Sequence, residues 1–126
     1  MGTPLDTVNE FITRINAGDL EGALHLCHPD IEYDNVPMGK NLGVATAREF
    51  LTPMVDGMDS VHWMVHREAE TETMAFNERT DRFLKGGRHA DIPVMGVWEV
   101  DDGGLITLWR DYFDMGAVAE VGALFS

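Results

Sequence analysis

The hydrophobic positions change period part-way along the chain. Ahead of residue 60 they recur mostly at helical spacing; after it they alternate. In "TPLDTVNEFITRINAGD", Leu5, Val8, Ile12 and Ile15 fall on one helical face, with Thr3 as N-cap, Pro4 at the first position and Gly18 as the stop. Asp19 caps a predicted second short helix that carries Leu20, Ala23, Leu24 and Cys27 and ends before Pro29. "IEYDNVP" reads as a short strand closed by Pro37, and "GVATAREFLTPM" as a third short helix weakened by Pro53. Period two then takes over. "SVHWMVHREA", "TMAFNERTDRFL", "HADIPVMGVWEV" and "LITLWRDYF" predict four strands, with "KGGR" and "DDGG" as glycine-rich turns between them. The tail "MGAVAEVGALF" predicts a closing helix. Helices first and an antiparallel meander afterwards predict an α+β fold, with helices over one face of a curved sheet. No repeat, low-complexity tract or linker divides residues 1–126, and 126 residues suit one domain.

Alternation also assigns polar residues to faces. Asp111 shares a face with Leu105, Trp109 and Phe113, while Arg110 takes the other. Asn77, Arg79, Asp81 and Phe83 share a second face, and Ile31, Tyr33 and Asn35 a third. A carboxylate amid apolar neighbours is costly unless it is paired. If the three faces look into one cavity, that cavity holds Asp81, Arg79 and Asp111 with a phenol and an amide nearby. An arginine between two carboxylates can bond to both. Two carboxyls in one dry pocket titrate as a coupled pair, giving one acid and one base near neutrality. Tyr33 and Asn35 could then orient a water toward the ionised partner, a device suited to opening a strained ether. A structural ion pair between Arg79 and Asp81, a core Tyr33 and a turn Asn35 are the plainer alternatives.

The charge balance narrows the partners. Nine basic against 22 acidic residues leave a net charge of −13, which repels phosphate backbones and anionic lipid heads. Neither nucleic acid nor a membrane is an expected partner. Cys27 is the sole cysteine, so no internal disulfide can form, and the start of the chain lacks both a basic head and a continuous apolar run. A cytoplasmic location is the resulting expectation. His62 and His66 on one strand would stand about 13 Å apart, too far to share one ion. His25 and His28 suit capping or surface roles, Cys27 a buried thiol, and the eight methionines simple core filling. No phosphate-binding glycine loop is present.

Tyr33-x-Asn35, Arg79-x-Asp81 within "NERTD", and Asp111 within "ITLWRDYFD" resemble the limonene-1,2-epoxide hydrolase family in order and spacing, over nearly the whole chain. The resemblance implies a cone-shaped fold: a curved mixed sheet wrapped by helices around a deep apolar pocket, usually as a homodimer. It implies that Asp111 deprotonates water with help from Tyr33 and Asn35, that Asp81 protonates the epoxide oxygen, and that Arg79 bridges the two. The implied substrates are a small apolar epoxide and water, with no metal or organic cofactor and no covalent intermediate. Relatives of that kind carry a longer segment ahead of the first helix. Met54, Phe83, Ile92, Val94 and Phe113 are the expected substrate-lining residues, although core packing would account for each equally well. Two other readings stand beside this one. A cone-fold isomerase or cyclase would use one carboxylate to take a proton next to a carbonyl, and a non-catalytic binding module would use the charges structurally.

Overall fold

α1 (Pro4–Asn16) starts where its capping chemistry puts it. The Thr3 side chain accepts from the Asp6 backbone N–H, the Asp6 carboxylate accepts from the Thr3 N–H, and Pro4 occupies the first turn. The computed structural model describes residues 2–126, and the elements continue as α2 (Leu20–Leu24), β1 (Cys27–Asn35), β2 (Gly39–Leu42), α3 (Val44–Val55), β3 (Ser60–Glu70), β4 (Met74–Lys85), β5 (Arg88–Val100), β6 (Ile106–Tyr112) and α4 (Met115–Ala123). The six strands form one open sheet in the order β2-β1-β6-β5-β4-β3. Every neighbouring pair is antiparallel except β1 and β6, which run parallel and make the sheet mixed. Register shifts between Val65 and Arg67 and between Glu99 and Val100 mark irregularities of the kind that bend a sheet. The sheet curves as a cone. α1 packs against β3, β4 and β5, α3 against β1, and α4 against β5. No helix among the described residues is long and apolar enough to cross a membrane.

The meander and the closing helix fall where alternation and spacing predict them. The Gly86-Gly87 turn shows why: both residues hold positive φ, 61° and 76°, as a tight two-residue hairpin requires. Two local expectations need correction. Cys27 does not sit on α2; it opens β1, because the Ile106 N–H captures the Leu26 carbonyl at 2.8 Å and draws the chain onto β6. β1 then runs through Pro29, tolerated because the ladder to β6 is irregular between Cys27 and Glu32. β2 left no mark on the hydropathy pattern. It is an exposed edge strand held by backbone pairing to β1, and its Leu42 faces solvent.

The core lies between α1 and the concave face of the sheet. Phe11, fully buried, presents its edge to Trp98 at 5.5 Å and to Trp109 at 5.0 Å between ring centroids. Trp98 and Trp109, register partners on β5 and β6, stack at 4.9 Å. Edge-on and stacked aromatic contacts add to the burial energy of such large rings. Phe11→Ala should therefore lower the unfolding free energy by about 3–5 kcal/mol in urea denaturation. A loss within experimental error would show that this cluster does not anchor α1.

Candidate active site

Three strands bring the charged residues together across a gap left by a glycine. Asn77 on β4 is the register partner of Gly96 on β5, and Gly96 is the partner of Asp111 on β6. β4 and β6 are two strand spacings apart, roughly 9–10 Å. Arg79 spans that distance over Gly96. A β-carbon there would stand 2.5 Å from both Arg79 Nη1 and Asn77 Oδ1, and 2.9 Å from Trp98 Nε1. The absence of a side chain at residue 96 is what admits the guanidinium.

Arg79 has no exposed side-chain surface, and each of its three guanidinium nitrogens donates a hydrogen bond. Nε donates to Asp81 Oδ1 at 2.8 Å, and Nη2 donates to Asp81 Oδ2 at 3.0 Å and to Asp111 Oδ2 at 2.8 Å. Nη1 donates to Asn77 Oδ1 at 3.0 Å. Trp109 Nε1 donates to the other Asp111 oxygen at 2.9 Å. The guanidinium also lies 5.5 Å from the Trp63 ring centroid and 5.7 Å from that of Trp98, within cation–π range. The predicted Asp81–Arg79–Asp111 set is thus one buried network, and the cost of burying Asp111 is met by two donors.

Electrostatics separates the members. Burial pushes the Asp81 carboxyl up to about 6; the Arg79 charge and hydrogen bonds oppose the rise, and Asp111 adds to it. Burial would lower the Arg79 pKa, but the Asp111 and Asp81 carboxylates raise it further, so Arg79 stays charged. Burial, then the Asp111 charge, raise the pKa of Tyr33, which therefore remains a hydroxyl donor. Tyr33 stacks on its register partner Trp109 at 4.0 Å, and Asn35 is the register partner of Asp111. Asn35 Nδ2 is buried without a hydrogen-bond partner among the described residues. An unpaired buried donor beside a carboxylate is a place for a small polar ligand such as water.

A cavity of about 390 Å³ opens above this floor, between the sheet, α3 and α4. Tyr33, Asn35, Asp81 and Asp111 line it, as do Met54, Phe83, Ile92, Val94 and Phe113, so all five residues expected at its wall are there. Phe113 follows β6 rather than ending it, and Leu105 lies in the preceding turn, half-buried. α3 adds Phe50, Leu51 and Pro53, α4 adds Val118 and Val121, and Glu49 brings an acidic group to the lining. Hydropathy alone did not single out Trp63, Gly96 or the Asn77–Trp98 pair. Gly96 carried a usable signal, an isolated glycine inside a strand pattern. His66 instead bonds Thr80 Oγ1 at 2.8 Å, and His28 Nδ1 accepts from the Asp30 N–H at 3.0 Å, both away from the cavity. Burial pushes the Cys27 thiol up to about 12, as suits an inert core cysteine.

Fold and site together define a cone-shaped α+β protein with an arginine-bridged carboxylate pair at the floor of an apolar pocket. The chain belongs to the limonene-1,2-epoxide hydrolase family: residues 2–121 match the limonene-1,2-epoxide hydrolase catalytic domain. It is 32% identical over 108 residues to epoxide hydrolase EphG of Mycobacterium tuberculosis, covering 86% of this chain and 71% of that protein. The structure of an LEH-like epoxide hydrolase from M. tuberculosis superposes with a TM-score of 0.80 at 30% identity, over 93% of this chain and 86% of that one. A Δ5-3-ketosteroid isomerase from Mycobacterium sp. shares the fold, with a TM-score of 0.79 at 22% identity over 90% of this chain and 95% of that one.

Gly96→Ala should loosen the arginine network and lower the unfolding free energy by about 1–3 kcal/mol. Gly103→Ala, where a β-carbon meets nothing closer than 3.4 Å, should be close to neutral. Equal denaturation midpoints for the two variants would overturn the close-approach argument.

Proposed function

We propose that the pocket converts a small apolar epoxide, cyclic or terpene-type, into a vicinal diol by direct attack of water. The observation that carries this reading is the Arg79 fork bonded to both Asp81 and Asp111 beneath an apolar cavity. Tyr33 and Asn35 orient a water against Asp111, which takes its proton as the oxygen attacks an epoxide carbon. The carbon–oxygen bond of the ring breaks, and Asp81 delivers its proton to the departing oxygen. Arg79 keeps both carboxyls aimed while charge moves between them. Asp111 ends with one proton more and Asp81 with one fewer, and exchange with solvent restores the pair.

The raised Asp81 pKa supports its role as acid, since a carboxyl that keeps its proton toward neutral pH can donate it. The ketosteroid isomerase likeness extends to the fold alone. Enolate chemistry would need one base with neutral donors, whereas here a full cation sits between two acids. Asp81→Asn and Asp111→Asn should each cut diol formation from limonene-1,2-epoxide or cyclohexene oxide by roughly 10²–10⁴-fold with the circular dichroism spectrum unchanged. In one turnover in oxygen-18 water the wild-type diol should carry the label, and an unlabelled first diol would mean that a carboxylate had attacked instead.

A homodimer is the matching assembly. On the outer face of the sheet Met95 and Tyr112 are register partners and each is nearly half exposed, with Val36 also exposed just after β1. Neighbouring exposed apolar side chains favour a protein contact over open water. Sedimentation velocity should show a dimer for the wild type and a smaller species for Tyr112→Glu; a monomeric wild type would exclude this assembly.

A further inference from the structure

Beyond the two carboxylates and their arginine, the structure assigns a positioning role to Asn77, which fixes the free edge of the Arg79 guanidinium and so sets how the acid and the base face each other. This rests on the hydrolase reading of the same site.

The guanidinium nitrogens are not equally held. Nε and Nη2 face carboxylates, but Asp111 is reached by a single bond, from Nη2. A rotation of the fork would break that bond while Asp81 followed the arginine. The group opposing rotation is Asn77 Oδ1, which accepts from Nη1 at 3.0 Å. The same oxygen accepts from Trp98 Nε1 at 3.2 Å, so two donors dictate which way the amide points. Trp98 is itself immobile: it is fully buried, stacked on Trp109 and met edge-on by Phe11.

This orientation has a cost. Asn77 is 1% exposed, and with its oxygen committed to two donors its Nδ2 is left buried and unpaired among the described residues. A residue kept for packing alone would not leave a buried donor without a partner. An amide is retained because the site needs an uncharged acceptor there. A carboxylate would draw on the same arginine and compete with Asp81, whereas an aliphatic side chain would leave both Nη1 and the Trp98 N–H unpaired.

The titratable groups facing the network are few. β4 contributes Asp81 and Arg79, β6 Asp111, and β1 Tyr33, while β3, β5 and α1 turn Trp63, Trp98 and Phe11 toward it. Glu49 from α3 completes the acidic groups lining the cavity. In the wild type the protonated Asp81 is the working acid, so activity falls as pH rises through its titration, near 6 in the free protein.

Two variants test the assignment, read by steady-state kinetics across pH and by carbon-13 NMR titration of Asp81. Asn77→Leu changes no charge. It should lower kcat by about 10–100-fold with KM little altered, and raise the Asp81 titration, because an Asp111 released from Nη2 repels charge on Asp81 more strongly. Asn77→Asp keeps both hydrogen bonds but adds a carboxylate that competes with Asp81 for Arg79, so its kcat should fall by about 10-fold even at its own optimum. Its added charge beside Arg79 should move the alkaline fall to higher pH by about one unit. A folded Asn77→Leu with wild-type kcat and an unmoved Asp81 titration would overturn the assignment. If Asn77→Leu does not fold, Asn77→Asp decides: a folded variant with wild-type kcat and an unmoved alkaline fall overturns it. If the wild type opens no epoxide, the hydrolase reading fails, while an unmoved or displaced Asp81 titration still decides the placement.

Discussion

A guanidinium without water contact must find every partner within its own reach, and Arg79 is in that position. Removing one partner from a buried ion pair strands the other charge, at a cost of about 3–5 kcal/mol. The surrounding structure is arranged to avoid that. β4 supplies Asp81 two residues along the same face, β6 supplies Asp111 from two strands away, and β5 supplies a glycine so that the arginine can cross. The parallel pairing of β1 with β6 then sets Tyr33 on Trp109 and Asn35 beside Asp111. The strand order thus serves the site: with another strand between β4 and β6, one arginine could not hold both acids.

The division between an apolar wall and a polar floor follows from the same arrangement. β3, β4 and β5 turn Trp63, Phe83, Ile92 and Val94 inward, and the helices close the cavity with further apolar side chains. Low polarity there strengthens each charge–charge contact at the floor, because little water remains to screen it. The floor is not tuned for stability alone. Asn35 Nδ2, Asn77 Nδ2 and Trp63 Nε1 are all buried without partners among the described residues, polar atoms that a purely apolar floor would not carry.

Much of this was legible in the sequence because a sheet translates alternation directly into sides. The inward set Asn77, Arg79, Asp81 and Phe83 needs only the period of a strand, and so does the placement of Asp111 on the Trp109 face. Phe83, Ile92 and Val94 follow from the same rule and Phe113 is reached just beyond its strand, whereas Met54 comes from α3. What alternation lacks is pairing across strands. It gives no reason for β1 to lie beside β6, so the Tyr33–Trp109 stack and the Asn35–Asp111 register belong to tertiary structure. Cys27 misled because helical spacing continues from Leu24 to residue 27, while a backbone bond from Ile106 ends the helix first. β2 forms through backbone pairing alone and has no side-chain pattern to read.

In the proposed reading, the cation between the carboxylates also favours one chemistry over another in this cone. The same fold carries a ketosteroid isomerase at nearly the same TM-score, so the backbone cannot be what chooses. A proton abstraction next to a carbonyl asks for one free carboxylate and for donors without net charge, since negative charge appears on a single oxygen. Epoxide opening asks for two carboxyl groups in opposite protonation states, because a proton is taken from water as another is given to the ring oxygen. Two bare carboxylates so close would repel, and one would titrate far from neutrality. An arginine bonded to both opposes that repulsion and limits the rise of Asp81 to about 6. In the proposed mechanism that leaves Asp81 able to give its proton to the ring oxygen.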